Sequence, residues 1–313
     1  MNLQVARAVT IARDIRLLEL RPPGGGELPA FTPGAHVAVT APNGMRRQYS
    51  LCNDPADRSR YEIAVKRDGA GHGGSVSMAD HVHAGDLLPV EPPRNAFELS
   101  PGAPSFVFIA GGIGITPIMS MVRQLAREGT RRYRLYYCTR SPGETAFREE
   151  LSADPFRENV VIHHDGGDPA RALDLWPLLE KPTRAHIHCC GPRPLLEAVR
   201  DMSGHWPASA VRFESFVDAA AAERPEDRAF TVVLARSGAR IAVPPGRSIL
   251  EAMRAGGHDA PSSCESGTCG TCRTTLLSGE PDHRDMVLTE EERATRIMIC
   301  VSRARSAEIA IDR

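Results

Sequence analysis

The stretch CESGTCGTC, residues 264–272, places three cysteines within nine residues and separates them with mostly small side chains. A disulfide cluster, a zinc site and an iron–sulfur site all use cysteines that lie this close together. The kind of site that these cysteines form decides the fold of the C-terminal part of the chain. The other cysteines and the rest of the sequence distinguish the three.

The complete cysteine pattern favours iron and sulfur over zinc. Of the eight cysteines, four lie after residue 260, spaced as C-x4-C-x2-C with a distant fourth. This is the plant-type ferredoxin spacing for a [2Fe–2S] cluster held by four thiolates. A structural zinc site usually uses two pairs of close ligands, whereas this pattern is a triplet and a single residue. The predicted cluster ligands are Cys264, Cys269, Cys272 and Cys300.

Composition and charge are typical of a globular protein with several domains. The 313 residues are 42% hydrophobic and 25% charged, and the net charge of -1 gives no electrostatic reason to expect nucleic acid or an anionic membrane as partner. The N-terminal residues do not resemble a signal peptide, and no stretch is apolar enough to span a bilayer. We expect a cytoplasmic monomer, and in that compartment reduced cysteines bind metal more often than they pair.

Two composition breaks divide the chain. Four prolines interrupt EPPRNAFELSPGAPS, residues 91–105, just before a strongly apolar run. The small and charged stretch VDAAAAERPEDR, residues 217–228, is typical of an exposed linker. The predicted domains are residues 1–100, 101–216 and 228–313, with the linker at residues 217–227.

The three segments differ in their element patterns. The β-rich runs HVAVT (36–40), RQYSL (47–51) and YEIAVKR (61–67) are separated by Pro, Gly, Asn and Asp, which predicts a small antiparallel barrel. The middle segment alternates apolar strands with helical patterns, which predicts a parallel sheet with crossover helices. The last segment predicts a hairpin, the helix SILEAMRAGG, the cysteine loop and two further strands.

A glycine-rich turn follows the first apolar run of the middle segment. In FIAGGIGITPIMSMV, residues 108–122, Gly111, Gly112 and Gly114 end a strand and open a helix. Glycines let the backbone approach a pyrophosphate, and the free N–H groups of a helix N-terminus favour its negative charge. Tight packing of helix on strand explains the same glycines, and Thr116-Pro117 stands where the usual dinucleotide fingerprint has a further glycine.

Three shorter motifs carry further polar residues. In RRQYSL, alternation places Arg47 and Tyr49 on one face of a strand, where they either hold a phosphate and a ring or form an ordinary surface pair. In HGGSVSMAD, Ser75 caps a helix, or the same amides hold a phosphate. In CCGPRPLLEAV, Cys190 ends a strand, where it either faces a cofactor or is an ordinary buried cysteine.

Taken in order, these motifs resemble those of the ferredoxin–NADP reductase superfamily, and more narrowly those of phthalate dioxygenase reductase and its relatives, which include vanillate demethylase reductases. The resemblance spans nearly the whole chain. It implies a multi-domain fold: an antiparallel six-stranded β-barrel that binds FMN, an α/β parallel-sheet domain that binds NAD, and an α+β ferredoxin domain of the β-grasp type. No FAD-adenine loop is recognisable, which agrees with FMN.

The resemblance also implies roles for individual residues. The implied flavin site comprises Arg47, Gln48, Tyr49, Ser50, Val65, Lys66, Arg67, Gly73, Gly74, Ser75, Val76 and Phe216, with Phe213 as the second choice for the late aromatic residue. The implied NADH site comprises Gly111, Gly112, Gly114, Thr116, Pro117, Thr139, Arg140, Ser141, Gly191 and Pro192. Thr116, Cys190 and Ser50 are expected nearest to the reacting atoms.

A reductase component is the function that the resemblance implies. We hypothesise that a hydride passes from NADH to N5 of FMN, and that single electrons then pass through the cluster to the Rieske centre of an aromatic-ring dioxygenase or O-demethylase. The small residues 266–268 and Thr271 are expected to be exposed, where the oxygenase docks. We expect NADH as the donor, although Arg140 is able in principle to meet the 2′-phosphate of NADPH.

Three alternatives keep part of this assignment. In the first, the same electron chain serves a haem-thiolate monooxygenase. In the second, a zinc-bound interaction module is attached to a flavin reductase that releases reduced flavin. In the third, the chain is a redox-sensing binding protein without turnover. The aromatic substrate of an oxygenase is not encoded in this sequence, because that substrate never enters this protein.

Overall fold

A computed structural model of the chain describes residues 1–69, 73–216, 226–262 and 264–313. These residues divide into two units, Met1–Arg212 and Phe213–Arg313. Residues 217–225 of the predicted linker lie outside the described residues. The domain boundaries near residues 100, 216 and 228 stay predictions. None of the helices in the described ranges has the length and the apolar character needed to cross a bilayer.

The N-terminal part of the first unit is a barrel. Its strands are β1 (Asn2–Ala12), β2 (Ile15–Arg21), β3 (His36–Thr40), β4 (Arg46–Ser50), β5 (Tyr61–Lys66) and β6 (Leu87–Pro89). The order β5-β2-β1-β6 forms one antiparallel sheet, and β3 pairs with β4. Bridges from Leu51 to Ile63 and from Val39 to Val90 connect that pair to both edges of the sheet. The six strands therefore close into the antiparallel barrel that the resemblance implies.

The register of β3 and β4 places the R-x-Y-S motif. Tyr49 lies opposite Val37, and Arg47 lies opposite Val39. Because side chains alternate along a strand, Arg47 and Tyr49 share a face, as the sequence predicted. Ser50 is the last residue of β4, and the next residue, Leu51, bridges Ile63 of β5.

The second part of the first unit is a parallel sheet with helices. Its strands are β7 (Ser105–Gly111), β8 (Arg132–Thr139), β9 (Val160–His164), β10 (Ala185–Cys190) and β11 (Val211–Glu214), the last of which spans the boundary between the two units. Its helices are α2 (Ile115–Glu128), α3 (Arg148–Leu151), α4 (Trp176–Leu179) and α5 (Arg193–Met202). The order is β11-β10-β7-β8-β9, and β10, β7, β8 and β9 run parallel. The ends of β7 and β10 are adjacent, since Cys190 pairs with Ala110. Helix α1 (Gly74–His81) belongs to the barrel part.

The second unit is an α+β domain around its own core. Its strands are β12 (Phe230–Leu234), β13 (Ala239–Val243), β14 (Arg273–Ser278), β15 (Pro281–Asp282), β16 (Arg296–Met298), β17 (Arg303–Ala304) and β18 (Glu308–Ile311), and its helices are α6 (Ile249–Ala255) and α7 (Glu290–Arg293). The order β13-β12-β18-β14-β16 has parallel β12 and β18 at its centre. The predicted hairpin, helix and two late strands are all present.

Candidate functional site

The four predicted cluster ligands lie in the second unit as two pairs of thiols. Cys264 is hydrogen-bonded to Cys269, and Cys272 is hydrogen-bonded to Cys300. Within the described ranges, no group of three or more His, Cys, Asp or Glu side chains is arranged so that it could hold a metal ion. Two pairs of thiolates suit a two-iron cluster, because each of its irons takes two of the four protein ligands. The donor set therefore fits a [2Fe–2S] cluster.

The loop between these cysteines brings polar hydrogens to sulfur. The backbone N–H of Ser266 donates to Sγ of Cys264 at 3.5 Å. The pKa of Cys264 is lowered, chiefly by the hydrogen bond from Cys269 and further by the hydroxyl groups of Ser266 and Thr268. Such donors stabilise negative charge on a ligating sulfur. The small side chain of Ser266 thus allows its backbone to approach a sulfur of the predicted ligands.

The expected docking residues are only partly exposed. Thr271 is exposed, whereas Ser266 and Thr268 are half-buried and Gly267 is buried. A Cβ atom on Gly267 would lie 2.7 Å from Val301, and its φ of +75° favours glycine. The expectation of an exposed run at residues 266–268 was therefore wrong, because the fold packs its centre against the strand connection after Cys300.

Two of the flavin residues predicted on β4 carry buried polar atoms that have no partner among the described residues. The hydroxyl groups of Tyr49 and Ser50 are buried and have no hydrogen-bond partner among the described residues. Buried polar groups are costly without a partner, so these two hydroxyls fit a site that a polar ligand completes. Burial raises the pKa of Tyr49 to about 12, against a smaller opposing effect of Arg47, so its hydroxyl stays protonated at neutral pH.

Arg47 lies against the start of helix α1. A Cβ atom on Gly74 would lie 2.8 Å from Nε of Arg47, so the absence of a side chain lets the guanidinium approach the helix. The helix is capped by Gly73, whose φ is 83°. Ser75 is therefore not the cap that the sequence allowed; its hydroxyl instead contacts the backbone of Asp68. Arg47 and the first amides of α1 form a candidate phosphate site.

The other predicted flavin residues differ in how far they are exposed. Val65 is fully buried, so that only its backbone is available to a ligand, whereas Lys66 is exposed. The guanidinium of Arg67 is held by Asp80 of α1 at 2.9 Å, which fixes the end of β5 to that helix. The remaining members are half-buried Gln48 and Val76, and Phe216, which has 44% of its surface exposed, with Phe213 half-buried in β11.

The glycines after β7 and β10 let two turns pack together. A Cβ atom on Gly111 would lie 2.6 Å from Pro192, and one on Gly191 would lie 3.0 Å from the backbone of Gly111. Gly112 differs, because its φ is +53° and the space around its missing Cβ is open. Packing thus explains Gly111 and Gly191, while Gly112 leaves its backbone accessible. Tight packing, which the sequence left open as an explanation of these glycines, therefore occurs at the same turn that was predicted to bind a pyrophosphate.

Thr116 and Cys190 are brought to the same end of the sheet. Thr116 is buried, and its hydroxyl donates to the carbonyl oxygen of Ile113 at 3.0 Å. Cys190 is fully buried at the end of β10, and its carbonyl lies against Gly114. Pro117 is buried behind this turn, within α2. The first turn of α2 and the end of β10 form the candidate nicotinamide region.

The end of β8 was assigned to the adenosine side. The hydroxyl of Thr139 is buried and shared with Thr145 at 2.7 Å and His164 at 2.9 Å, so it orders the strand ends. Ser141 donates to Glu144 at 3.1 Å. Arg140 is exposed, and of the three predicted residues it has the side chain most accessible to a nucleotide.

A half-buried arginine on helix α2, which begins at the candidate nicotinamide turn, was missed from the sequence. Arg123 of α2 bonds Glu62 at 2.9 Å and Glu150 at 2.7 Å, and 17% of its side chain is exposed. The available signal was a basic residue on the third turn of a helix whose preceding neighbours on that face, Met119 and Ser120, are apolar or small. Its partners come from distant parts of the sequence, so the pairing itself carries no local pattern.

Three family models match the chain. They are described as an oxidoreductase FAD-binding domain at residues 2–99, an oxidoreductase NAD-binding domain at residues 108–159, and a 2Fe-2S iron-sulfur cluster binding domain at residues 232–305. The protein is therefore an oxidoreductase with flavin, NAD and [2Fe–2S] domains. Its sheets agree with that order along the chain.

Individual relatives extend the similarity to the full length. Phthalate dioxygenase reductase of Burkholderia cepacia is 54% identical over 313 residues, which cover 100% of this chain and 97% of that protein. A solved phthalate dioxygenase reductase, titled a modular structure for electron transfer from pyridine nucleotides to [2Fe–2S], has a TM-score of 0.78 and 52% identity and covers 100% of this chain and 98% of that one.

A solved type IV self-sufficient cytochrome P450 monooxygenase is also similar. It has a TM-score of 0.74 and 37% identity, and the match covers 100% of this chain and 41% of that chain. Similarity to the reductases is higher and spans nearly all of both chains. The protein described here therefore belongs to the phthalate dioxygenase reductase family.

Proposed function

We propose that this protein is the NADH-dependent reductase component of a Rieske non-haem iron oxygenase system, and that electrons travel from NADH through FMN and the [2Fe–2S] cluster to the oxygenase. The observation that supports it most directly is 54% identity to a dioxygenase reductase over the whole of this chain, together with the arrangement of the four thiols as two pairs. The flavin, when bound, accepts a hydride and releases single electrons, which lets a two-electron donor serve a one-electron cluster.

The residues of this chain bind and orient the reactants. Arg47 and the first amides of α1 hold the FMN phosphate, supported by the close approach at Gly74. Tyr49 and Ser50 donate their unpartnered hydroxyl groups to the flavin. The buried turn at Thr116 and Cys190 excludes water from the side where the nicotinamide lies. Three domains, at residues 1–100, 101–216 and 228–313, divide these tasks in the cytoplasm, where thiols stay reduced.

The remaining predicted residues line the same sites in this proposal. Gln48, Val65, Lys66, Arg67, Gly73, Ser75, Val76 and Phe216 complete the flavin site, and Gly111, Gly112, Gly114, Pro117, Thr139, Arg140, Ser141, Gly191 and Pro192 complete the NADH site. Open space at Gly112 supports backbone contact with the pyrophosphate. Exposure of Arg140 supports contact with the adenosine half. Thr271 is the exposed residue beside the cluster ligands that supports docking of the oxygenase there.

An anaerobic titration with NADH tests the electron path. We expect both flavin and cluster absorbance to bleach, and the cluster to develop the electron paramagnetic resonance signal of a reduced [2Fe–2S] centre. Bleaching of the flavin with a cluster that stays oxidised contradicts the path. Iron analysis of the purified protein checks the zinc alternative, which requires zinc in place of iron and no cluster absorbance. Steady reduction of cytochrome c by NADH contradicts a binding protein without turnover.

A haem-thiolate acceptor is the second candidate, favoured by the similarity to part of a self-sufficient cytochrome P450. Reconstitution distinguishes the two. The purified protein and NADH are added to a phthalate-type Rieske oxygenase or to a haem-thiolate monooxygenase, and product is measured. Turnover of the Rieske oxygenase alone is the expected result. Turnover of the haem enzyme alone contradicts the proposed partner while leaving the electron path intact.

A further inference from the structure

Helix α2 contacts the barrel of the same unit through one stripe of side chains. The backbone N–H of Gly34 donates to Oγ of Ser120 at 3.0 Å, and Arg127 donates to Asp54 at 2.8 Å. Arg123 lies between these two contacts on the helix. Residues three, four and seven apart share one face of a helix, so the stripe is continuous. The helix that begins at the candidate nicotinamide turn is therefore fixed to the barrel along its length.

Arg123 makes the densest contacts of this stripe. Its Nη1 donates to the carbonyl oxygen of Cys52 at 2.8 Å and to Glu62 at 2.9 Å. Its Nε and Nη2 donate to the two carboxylate oxygens of Glu150 at 2.8 and 2.7 Å. The guanidinium also lies 5.5 Å from the centre of the Phe147 ring. The guanidinium thus reaches four oxygen atoms on three residues at once, one more than the three N–H donors of a lysine can reach.

These contacts connect the two reacting sites. Cys52 is two residues after Ser50, and its N–H donates to the carbonyl oxygen of Glu62 at 2.8 Å, which ties it to β5. Thr116 lies seven residues before Arg123, about two turns away on the same rigid helix. One side chain thus links the segment that leaves the flavin motif to the helix that opens at the nicotinamide turn.

We propose that Arg123 is a positioning residue for hydride transfer, which fixes the separation of nicotinamide and flavin by joining α2 to the segment after Ser50. This inference rests on the proposed function. Glu62 and Glu150 balance the charge of the guanidinium and orient its N–H groups, so both carboxylates contribute to the same positioning contact. A shift of about 1 Å between reacting groups lowers a rate by roughly 100-fold, so modest loosening of this contact has a large effect.

The test uses Arg123→Lys and Glu62→Gln in the full chain with flavin and cluster bound. NADH is mixed rapidly with each protein, and flavin bleaching is followed. We expect the bleaching rate at saturating NADH to fall about 10- to 100-fold in Arg123→Lys and by a smaller factor in Glu62→Gln. The Kd for NADH is expected to change by less than about 3-fold, because Arg123 does not line the nucleotide turn. Deuterium at C4 of NADH then slows bleaching more than in the wild type.

Arg127→Gln is the matched control, because it breaks a contact of the same helix whose arginine is 48% exposed. Its bleaching rate is expected to stay within about 2-fold of the wild type, since exposed ion pairs contribute little. Electron transfer from photoreduced flavin to the cluster is expected to be unchanged in all variants.

Wild-type bleaching rates in both Arg123→Lys and Glu62→Gln would overturn the inference. If Arg123→Lys does not retain its flavin, the bleaching rate of Glu62→Gln alone tests the inference, because glutamine has nearly the same shape as the glutamate that it replaces. A wild-type protein whose flavin is not bleached by NADH contradicts the proposed function instead, so the two failures are distinguishable.

Discussion

Gly114 and Cys190 meet through their backbones, because a Cβ atom on Gly114 would lie 2.2 Å from the carbonyl oxygen of Cys190. The contact joins the first turn of α2 to the end of β10. The nearest atoms all belong to the backbone of Cys190 and Gly191, so they cannot rotate away as a side chain would. The width of the candidate nicotinamide region therefore depends on a glycine at position 114.

Gly114→Ala is expected to separate these two turns. Overpacking of this kind costs about 1–3 kcal/mol of stability, and displacement of the turn lowers kcat/KM for NADH by at least about 10-fold. Flavin content is expected to be unchanged, because the predicted flavin residues other than Phe216 lie in the barrel part. Steady-state kinetics with ferricyanide measures the effect. Gly102→Ala is the control, since the space around its Cβ is open; equal kinetics in both variants would contradict the prediction.

Strand positions were predictable because side-chain alternation is local. The run HVAVT matches β3 (His36–Thr40) in both bounds. The helix predicted in the last segment is present as α6, and it begins directly after Ser248, which forms a capping box with Glu251. The cap at Ser75 was wrong, because Gly73 reaches a left-handed conformation that serine rarely adopts. Local preference among Ser, Gly and Asn does not decide between neighbouring positions.

Long-range ion pairs were not predictable from any local pattern. Arg123 and Glu62 are 61 residues apart, and Arg284 and Asp227 are 57 residues apart. Asp227 falls in the segment predicted as an exposed linker, yet its side chain is only 4% exposed and is held by Arg284. Composition identified a polar segment, whereas its burial depends on which arginine the folded unit brings to it.

Tyr49→Phe is expected to weaken FMN binding without destabilising the flavin-free protein. Without flavin, loss of an unpartnered buried hydroxyl leaves stability equal or slightly higher. With flavin, loss of one hydrogen bond of about 1 kcal/mol weakens FMN binding roughly 5-fold. Fluorescence titration of the apoprotein with FMN measures the affinity, and thermal unfolding of the apoprotein measures its stability.

Tyr61→Phe is the matched control for that prediction. The hydroxyl of Tyr61 already donates to the carbonyl oxygen of Pro29 at 2.5 Å, so its loss destabilises the barrel by about 1 kcal/mol and leaves FMN affinity unchanged. Wild-type FMN affinity in Tyr49→Phe would show that the flavin does not use this hydroxyl.

Cys300→Ser is expected to remove the cluster and leave the flavin reaction. Cys300 pairs with Cys272, and the change leaves one iron with a single thiolate. Visible cluster absorbance and NADH-driven cytochrome c reduction are expected to be lost, while ferricyanide reduction by the flavin persists because the predicted flavin residues other than Phe216 lie in the other unit. Cys138→Ser, in the nucleotide part, is the control and is expected to keep the cluster. Full cluster absorbance in Cys300→Ser would refute the ligand assignment.

His188 gives the first unit a pH-dependent stability. It is fully buried, its Nε2 donates to the carbonyl oxygen of Glu98 at 3.0 Å, and the rings of Phe97, Phe106 and Phe108 lie 5.3 to 5.8 Å away. Burial, with a smaller effect of nearby positive charge, lowers the pKa of His188 from its ordinary 6.5 to about 4. The folded protein therefore holds the imidazole neutral.

The sign of the effect follows from proton uptake. Between pH 6.5 and pH 4 the unfolded chain binds a proton at His188 that the folded chain does not, so stability is complete above pH 6.5 and falls as the pH falls. The loss between pH 7 and pH 5 is about 2 kcal/mol for this residue. His188→Gln keeps an N–H donor for Glu98 and does not titrate. We expect its unfolding free energy to fall less than that of the wild type over this range.

Urea unfolding of the first unit at pH 7 and pH 5 measures the difference. The comparison is between pH dependences, because the substitution also changes packing at both pH values. His83→Gln is the control, since its side chain is 70% exposed and its removal is expected to leave the pH dependence as in the wild type. Equal falls for His188→Gln and the wild type would mean that the folded protein accommodates a charged imidazole at this position, and that the aromatic rings around it yield to water.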